Sequence, residues 1–165
     1  MNDPERSEEL RNALVFHLDG KAHALRLHAV TRVVRAVEMR PLPGARGIAM
    51  GVIDVAGVPV PVMDLRARLG LPPRRTVPSD RFILARFSGR PIALPVDSVQ
   101  GVVTLPEETA GTAIVAAPAG SRLEGIAVLP DGMVFLHDLE AFLSSTERLV
   151  LEGALAGVQD PGHGP

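Results

Sequence analysis

Two pairs of polar residues have types that could do chemistry: His23 with His28, as ligands of one metal ion, and His137 with Asp138, as acid and base. Spacing argues against both. Residues five apart on a strand point to opposite faces, so His23 and His28 do not converge. Asp138, like Asp64, follows an apolar strand and precedes a short helical pattern, where its carboxylate is needed by the free N–H groups of the helix start. All three histidines then read as structural. Arg66, Arg68, Arg74 and Arg75 form a basic patch that is either a solvated face or a surface for an acidic partner. The glycines form neither G-x-x-x-x-G-K-[ST] nor a G-x-G-x-x-G after a strand, and read as turn residues. With no cysteine, thiolate catalysis, disulfides and sulfur-ligated zinc are excluded. No catalytic residue, metal site or cofactor is expected.

Composition narrows the partners further. Lys plus Arg number 17 against 19 for Asp plus Glu, so a net charge of −2 offers no strong field to nucleic acid or an anionic membrane. There is no Trp or Tyr, and the five Phe are spread through strand patterns, which leaves no stacking platform for single strands. The opening MNDPERSEELRN is charged, and no stretch reaches the length of a membrane span. A cytoplasmic protein that neither binds nucleic acid nor inserts directly into a membrane is the expectation.

The elements that must position these residues are strands, and they come twice. Leu14, Phe16 and Leu18 alternate with Val15, His17 and Asp19, then Asp19-Gly20 turns the chain into a second strand. A second hairpin turns at Ser88-Gly89. A constant offset of 69 relates them: Gly20 matches Gly89, Ala24 matches Ala93, and Val30, Val33 and Val34 match Val99, Val102 and Val103. Later parts repeat at an offset of 74, with Gly51 on Gly125, Val60 on Val134, Asp64 on Asp138 and Leu69 on Leu143. The pattern is a duplication.

Each unit carries a hairpin, a third strand, a variable loop (41–47 and about 106–123) and a second hairpin running into a helical turn. Five short strands close most economically into a small barrel, so the expected fold is all-β: two tandem, pseudo-repeated five-stranded barrels with short capping helices. The first covers about 13–70 and the second about 81–143, with a joint at 71–80, a flexible segment at 1–12, and a C-terminal helix and disordered tail over 144–165. Ser144 and Glu147 offer that helix a capping box. Pro59 and Pro61 are two apart, so both missing N–H groups lie on one side of their strand, which should be an edge or a bulge.

In order, LVFHLDGKAHALRLHAVTRVV, RPLP, GVIDVAGVPVPVMDLRARLGL, IALPVDSVQGV and GIAVLPDGMVFLHDLEAFL resemble the CheW-like domain of bacterial chemotaxis systems over about residues 13–143. The resemblance implies two intertwined SH3-like five-stranded barrels. It also implies a non-catalytic adaptor coupling a CheA-type histidine kinase to the cytoplasmic tip of a chemoreceptor. Positions matching the family's receptor groove are Leu14, Leu27, Val30, Val33, Val99 and Val102, all aliphatic. Contact with the kinase is implied for the hairpin 52–60, including Val52, Ala56, Gly57 and Val60, with Arg32 beside the groove. Two departures stand out. The family usually reads N-x-R-G at that hairpin turn, where this chain reads Asp54-Val55-Ala56-Gly57, and Arg32 replaces a commonly acidic residue. Altered partners are therefore expected. The alternative is a small β-barrel ligand-binding or hydrolytic protein that shares only the fold.

Overall fold

The computed structural model describes residues 3–45, 47–106 and 123–159. Ten strands carry it: β1 (Asn12–Leu18), β2 (Lys21–Arg26), β3 (Val30–Arg35), β4 (Ala49–Val55), β5 (Val58–Met63), β6 (Arg81–Phe87), β7 (Arg90–Val96), β8 (Ser98–Thr104), β9 (Leu123–Leu129) and β10 (Gly132–His137). Three α-helices flank them, α1 (Pro4–Leu10), α2 (Leu65–Arg68) and α3 (Ser145–Gln159). The loop expected at 106–123 falls mostly outside the described residues; of the disordered tail expected after Leu155, residues 156–159 instead continue the last helix and 160–165 lie outside the described residues. The segment 1–12, expected to be flexible, contains α1, whose start is capped by Asp3 accepting the Glu5 N–H at 3.1 Å.

The strands form two five-stranded sheets, ordered β8-β1-β2-β10-β9 and β3-β6-β7-β5-β4. Neither sheet is one of the contiguous stretches 13–70 and 81–143. The first hairpin, β1-β2, sits among the strands of the second unit, and β6-β7 sits among those of the first. The duplication survives this exchange to the level of register. Val33 faces Ile83 as Val102 faces Leu14, and Val62 faces Ala93 as Leu136 faces Ala24. Each of these pairs maps on the other by the offsets 69 and 74. The sheets are not closed: β8 and β9 are the outer strands of one, β3 and β4 of the other.

The exchange explains why β1 is buried on both faces rather than alternating. Leu14, Phe16 and Leu18 join Ile83, Ile92, Leu94 and Val96 in one large core between the sheets, while Ala13 and Val15 point the other way into a core within their own sheet. The matching core of the other sheet holds Phe82, Leu84, Ile53 and Val60. A strand with two apolar faces has no solvent side to pattern.

The hairpin turns fold as the dipeptides require. Asp19-Gly20, Ala56-Gly57 and Ser88-Gly89 all have positive φ at both residues (50° and 75°, 51° and 85°, 49° and 76°), which matches the right-handed twist of the strands they join. Gly51 answers a different need. A side chain there would come within 2.6 Å of the Arg40 carbonyl, which accepts the Val52 N–H at 2.7 Å.

Pro59 and Pro61 do not mark an edge, since β5 lies between β7 and β4. In a two-residue hairpin the flanking pair Val55↔Val58 exchanges both hydrogen bonds, so Pro59 and Pro61 turn their nitrogens away from β4, toward β7. There the ladder is reduced to Val62↔Ala93. The equivalent β10, which has Met133 and Phe135 in place of the prolines, pairs with β2 over Phe135, Leu136 and His137.

Candidate functional site

The six aliphatic positions expected to line a groove come from four elements that meet at the seam between the sheets. Leu27 ends β2 in a 3-10 turn, Val30 and Val33 lie on β3, and Val99 lies on β8; all four are half-buried and pack on the large central core. Val102 is 54% exposed. Leu14, its cross-strand partner, is 5% exposed and belongs to the core itself. The surface strip is thus Leu27, Val30, Val33, Val99 and Val102, with Leu14 beneath it. Arg32 is exposed on β3, beside this strip, at an irregularity in the pairing with β6 that recurs at Gly101 on β8.

The hairpin β4-β5 separates in the same way. Val52 (9% exposed) and Val60 (2%) are both buried, on opposite faces of the hairpin: Val52 in the central core and Val60 in the core of its own sheet. Ala56, Gly57 and Val58 form the exposed tip, held by the Gly57 N–H donating to Asp54 Oδ1 at 2.7 Å. A partner meeting this hairpin meets those residues, not the two buried valines.

The histidines give a result that the sequence did not disclose. His23 and His137, 114 residues apart, are joined by a 2.8 Å hydrogen bond between Nδ1 and Nε2, because β2 and β10 run side by side. Phe16 and Phe135 flank the His23 ring and Phe142 meets His137 edge-on. Burial, then the positive charges of Lys21 and His17, push His23 down to about 4; burial, then His23, pushes His137 down to about 3. Both rings are neutral near pH 7, one donating and one accepting. Asp138 is not their partner, since its carboxylate accepts the Glu140 N–H at 3.1 Å and caps a 3-10 turn, as Asp64 caps α2 through the Ala67 N–H. Among the described residues no group of three or more His, Cys, Asp or Glu is arranged to hold a metal ion.

The basic patch is largely neutralised from within. Arg66 reaches Asp19 at 2.7 Å and Asp97 at 2.9 Å, Arg74 bonds Asp97 and, at 2.8 Å, Asp80, and Arg68 bonds Glu147. Burial works to raise the Asp97 carboxyl, but hydrogen bonds from Arg66 and Arg74 outweigh it and hold it below the usual carboxylate range. This network ties the first turn, α2, the connector 71–80 and the end of β7 together. Asp97, its acidic centre, could not be singled out in sequence because its partners Asp19, Arg66 and Arg74 are 23–78 residues distant. Arg75 is the member of the patch without an ion pair among the described residues.

Comparison with known proteins agrees with the geometry. A model of the CheW-like domain matches residues 12–147. The chain is 27% identical over 143 residues to the probable chemotaxis protein CheW of Rhizobium etli, covering 83% of this chain and 90% of that one. It is 31% identical over 107 residues to chemotaxis protein CheW of Bacillus subtilis, covering 65% and 66%. The crystal structure of the scaffolding protein TtCheW from Thermoanaerobacter tengcongensis superposes with a TM-score of 0.71 at 26% identity, over 83% of this chain and 94% of that one. With that match spanning both hairpin-exchanged sheets, the chain belongs to the CheW-like family.

Proposed function

We propose that the protein is a chemotaxis adaptor that acts without catalysis in the cytoplasm, coupling a CheA-type histidine kinase to the cytoplasmic tip of a chemoreceptor. The family match over 12–147 carries this reading. The half-buried aliphatic strip supports the receptor arm, because an amphipathic helix docks by burying its apolar face in such a surface. On this reading each five-stranded sheet, open at its outer strands, corresponds to one SH3-like barrel of the family, and the tip Ala56-Gly57-Val58 projects toward both partners. Among the described residues, no helix is long and apolar enough to cross a membrane.

The test is a titration against a receptor-tip helical hairpin and, separately, the kinase regulatory domain. Val30→Asp and Val99→Asp should weaken the receptor arm at least tenfold while leaving the circular dichroism and the kinase arm unchanged, since a carboxylate would lose water against an apolar helix. Unchanged receptor binding by both variants would remove the strip from the interface. The missing turn arginine supports a second expectation. A charge-assisted contact there is worth about tenfold to a hundredfold, so Ala56→Arg should strengthen binding to a typical receptor tip by that factor. If wild type already binds such a tip tightly and the substitution adds nothing, the idea of altered partners fails.

A further inference from the structure

The offsets that relate the two units also relate two clefts. Met50, Asp64, Arg66 and Asp97 line one; their equivalents Glu124, Asp138, Glu140 and His28 line the other. The first retains only about 20 Å³, because the connector 71–80 lies in it: Arg74, Thr76 and Asp80 form part of its wall, and Arg74 bonds both Asp97 and Asp80. The second measures about 420 Å³, within the range of ligand sites, and among the described residues no segment takes the connector's place.

The open cleft differs in which of its charged groups are left without a partner. Where the filled cleft has Asp97 receiving an arginine, the open one has His28. The register Val30↔Ala85 sets Arg86, which also lines the cleft, beside the 27–29 turn that carries His28. The acids of the open cleft are engaged: Glu124 with Arg26 at 3.1 Å, Glu140 with the Ser88 N–H at 2.9 Å and with Arg148, and Asp138 with a backbone N–H. Among the described residues Arg86 and His28 have no such partner. His137, 2% exposed, lines the same cleft and its Nδ1 has no hydrogen-bond partner.

We propose that the open cleft receives an extended peptide segment of a partner protein, whose acidic side chain binds Arg86 and His28 as Arg74 binds Asp97 in the filled cleft. The occupant of the filled cleft is itself polypeptide outside any helix or strand, which favours a peptide over a small molecule. With the three carboxylates of the lining engaged, the groups left to recognise an occupant are Arg86 and His28, which favour a carboxylate over a guanidinium. This site adds to the receptor strip and the kinase tip and shares no residue with either.

The experiment uses the full chain and a fluorescein-labelled ten-residue peptide of the connector sequence 71–80 carrying Arg74→Glu and Arg75→Glu, followed by anisotropy. Saturable binding is expected, weakened about tenfold by Arg86→Ala and also reduced by His28→Ala, with the unaltered basic connector peptide at least tenfold weaker. Both side chains are at the surface, so the circular dichroism should not change. Absence of saturable binding, equal binding of the basic peptide, or indifference to both substitutions overturns the proposal. Displacement of the peptide by equimolar succinate would assign the cleft to a small acid and overturn it equally. Because Arg86 and His28 lie outside the strip and the tip, receptor and kinase titrations of these variants separate failure here from failure of the adaptor reading.

Discussion

The β2-β10 junction and its duplicate, β7-β5, occupy equivalent places in the two sheets, yet they are built on different chemistry. In the first, His23 and His137 meet across a three-residue parallel ladder; in the second, the equivalent residues are Ile92 and Met63, both buried, and prolines cut the ladder to one pair. The first junction gains backbone pairing and carries two buried imidazoles with one unpartnered nitrogen each. The second has lost pairing and is covered instead: α3 lays Leu151 and Leu155 against Pro61 and Ile92, with Arg148 4.4 Å above the Phe87 ring. One register thus tolerates either a polar junction held by ladder hydrogen bonds or an apolar junction held by an added helix. The difference predicts that acid acts on one half and loss of the helix on the other.

The largest effect should come from protonation. Both histidines have folded values depressed below the ordinary 6.5, to about 4 and about 3. The unfolded chain therefore binds protons that the folded chain refuses. Stability is full above about pH 6.5 and falls as pH drops toward the folded values, by about 1–3 kcal/mol per pH unit for the coupled pair. Urea titrations at pH 7, 6 and 5 should show this slope. Copying the other junction by His23→Ile with His137→Met should flatten it, and an unchanged slope between pH 6.5 and 5 would show that other groups govern acid sensitivity.

The two clefts sharpen the comparison next. Asp97 sits in the filled one with its partners mostly out of water, so Asp97→Ala should cost about 1–3 kcal/mol by leaving Arg66 and Arg74 without their shared acceptor. His28→Ala, its equivalent in the open cleft, should change stability by no more than about 0.5 kcal/mol. Equal costs in denaturant melts would mean that the network does not hold the connector.

The smallest effect concerns the ends of the units, where Gly70 follows α2 but Ser144 starts α3. Ser144 Oγ accepts the Glu147 N–H and Glu147 Oε1 accepts the Ser144 N–H, each at 3.1 Å, so both halves of the capping box form. Arg68 holds the Glu147 carboxyl below the usual range as well. Ser144→Ala should cost about 1 kcal/mol, with increased hydrogen exchange in α3 and none in β9-β10. Uniform exchange across both would mean that the helix does not open separately.

Features decided within a few residues were legible in the sequence. The positive-φ dipeptides fixed three hairpin turns, the aspartates before α2 and the last 3-10 turn fixed their caps, and the capping box located α3. The two offsets revealed the duplication. What the sequence left open depended on which distant strands pair. The exchange of β1-β2 for β6-β7 cannot be read from alternation, since both placements satisfy the same local pattern and the same turns. That choice nonetheless buries Leu14 in the central core and joins His23 to His137. The non-local contacts also bring Asp97 to Arg66 and Arg74, turning an apparent basic surface into an internal network. Local free energies are set by neighbouring residues and survive in the one-dimensional record; burial and pairing across the chain are set by long-range closure, and only the tertiary structure decides them.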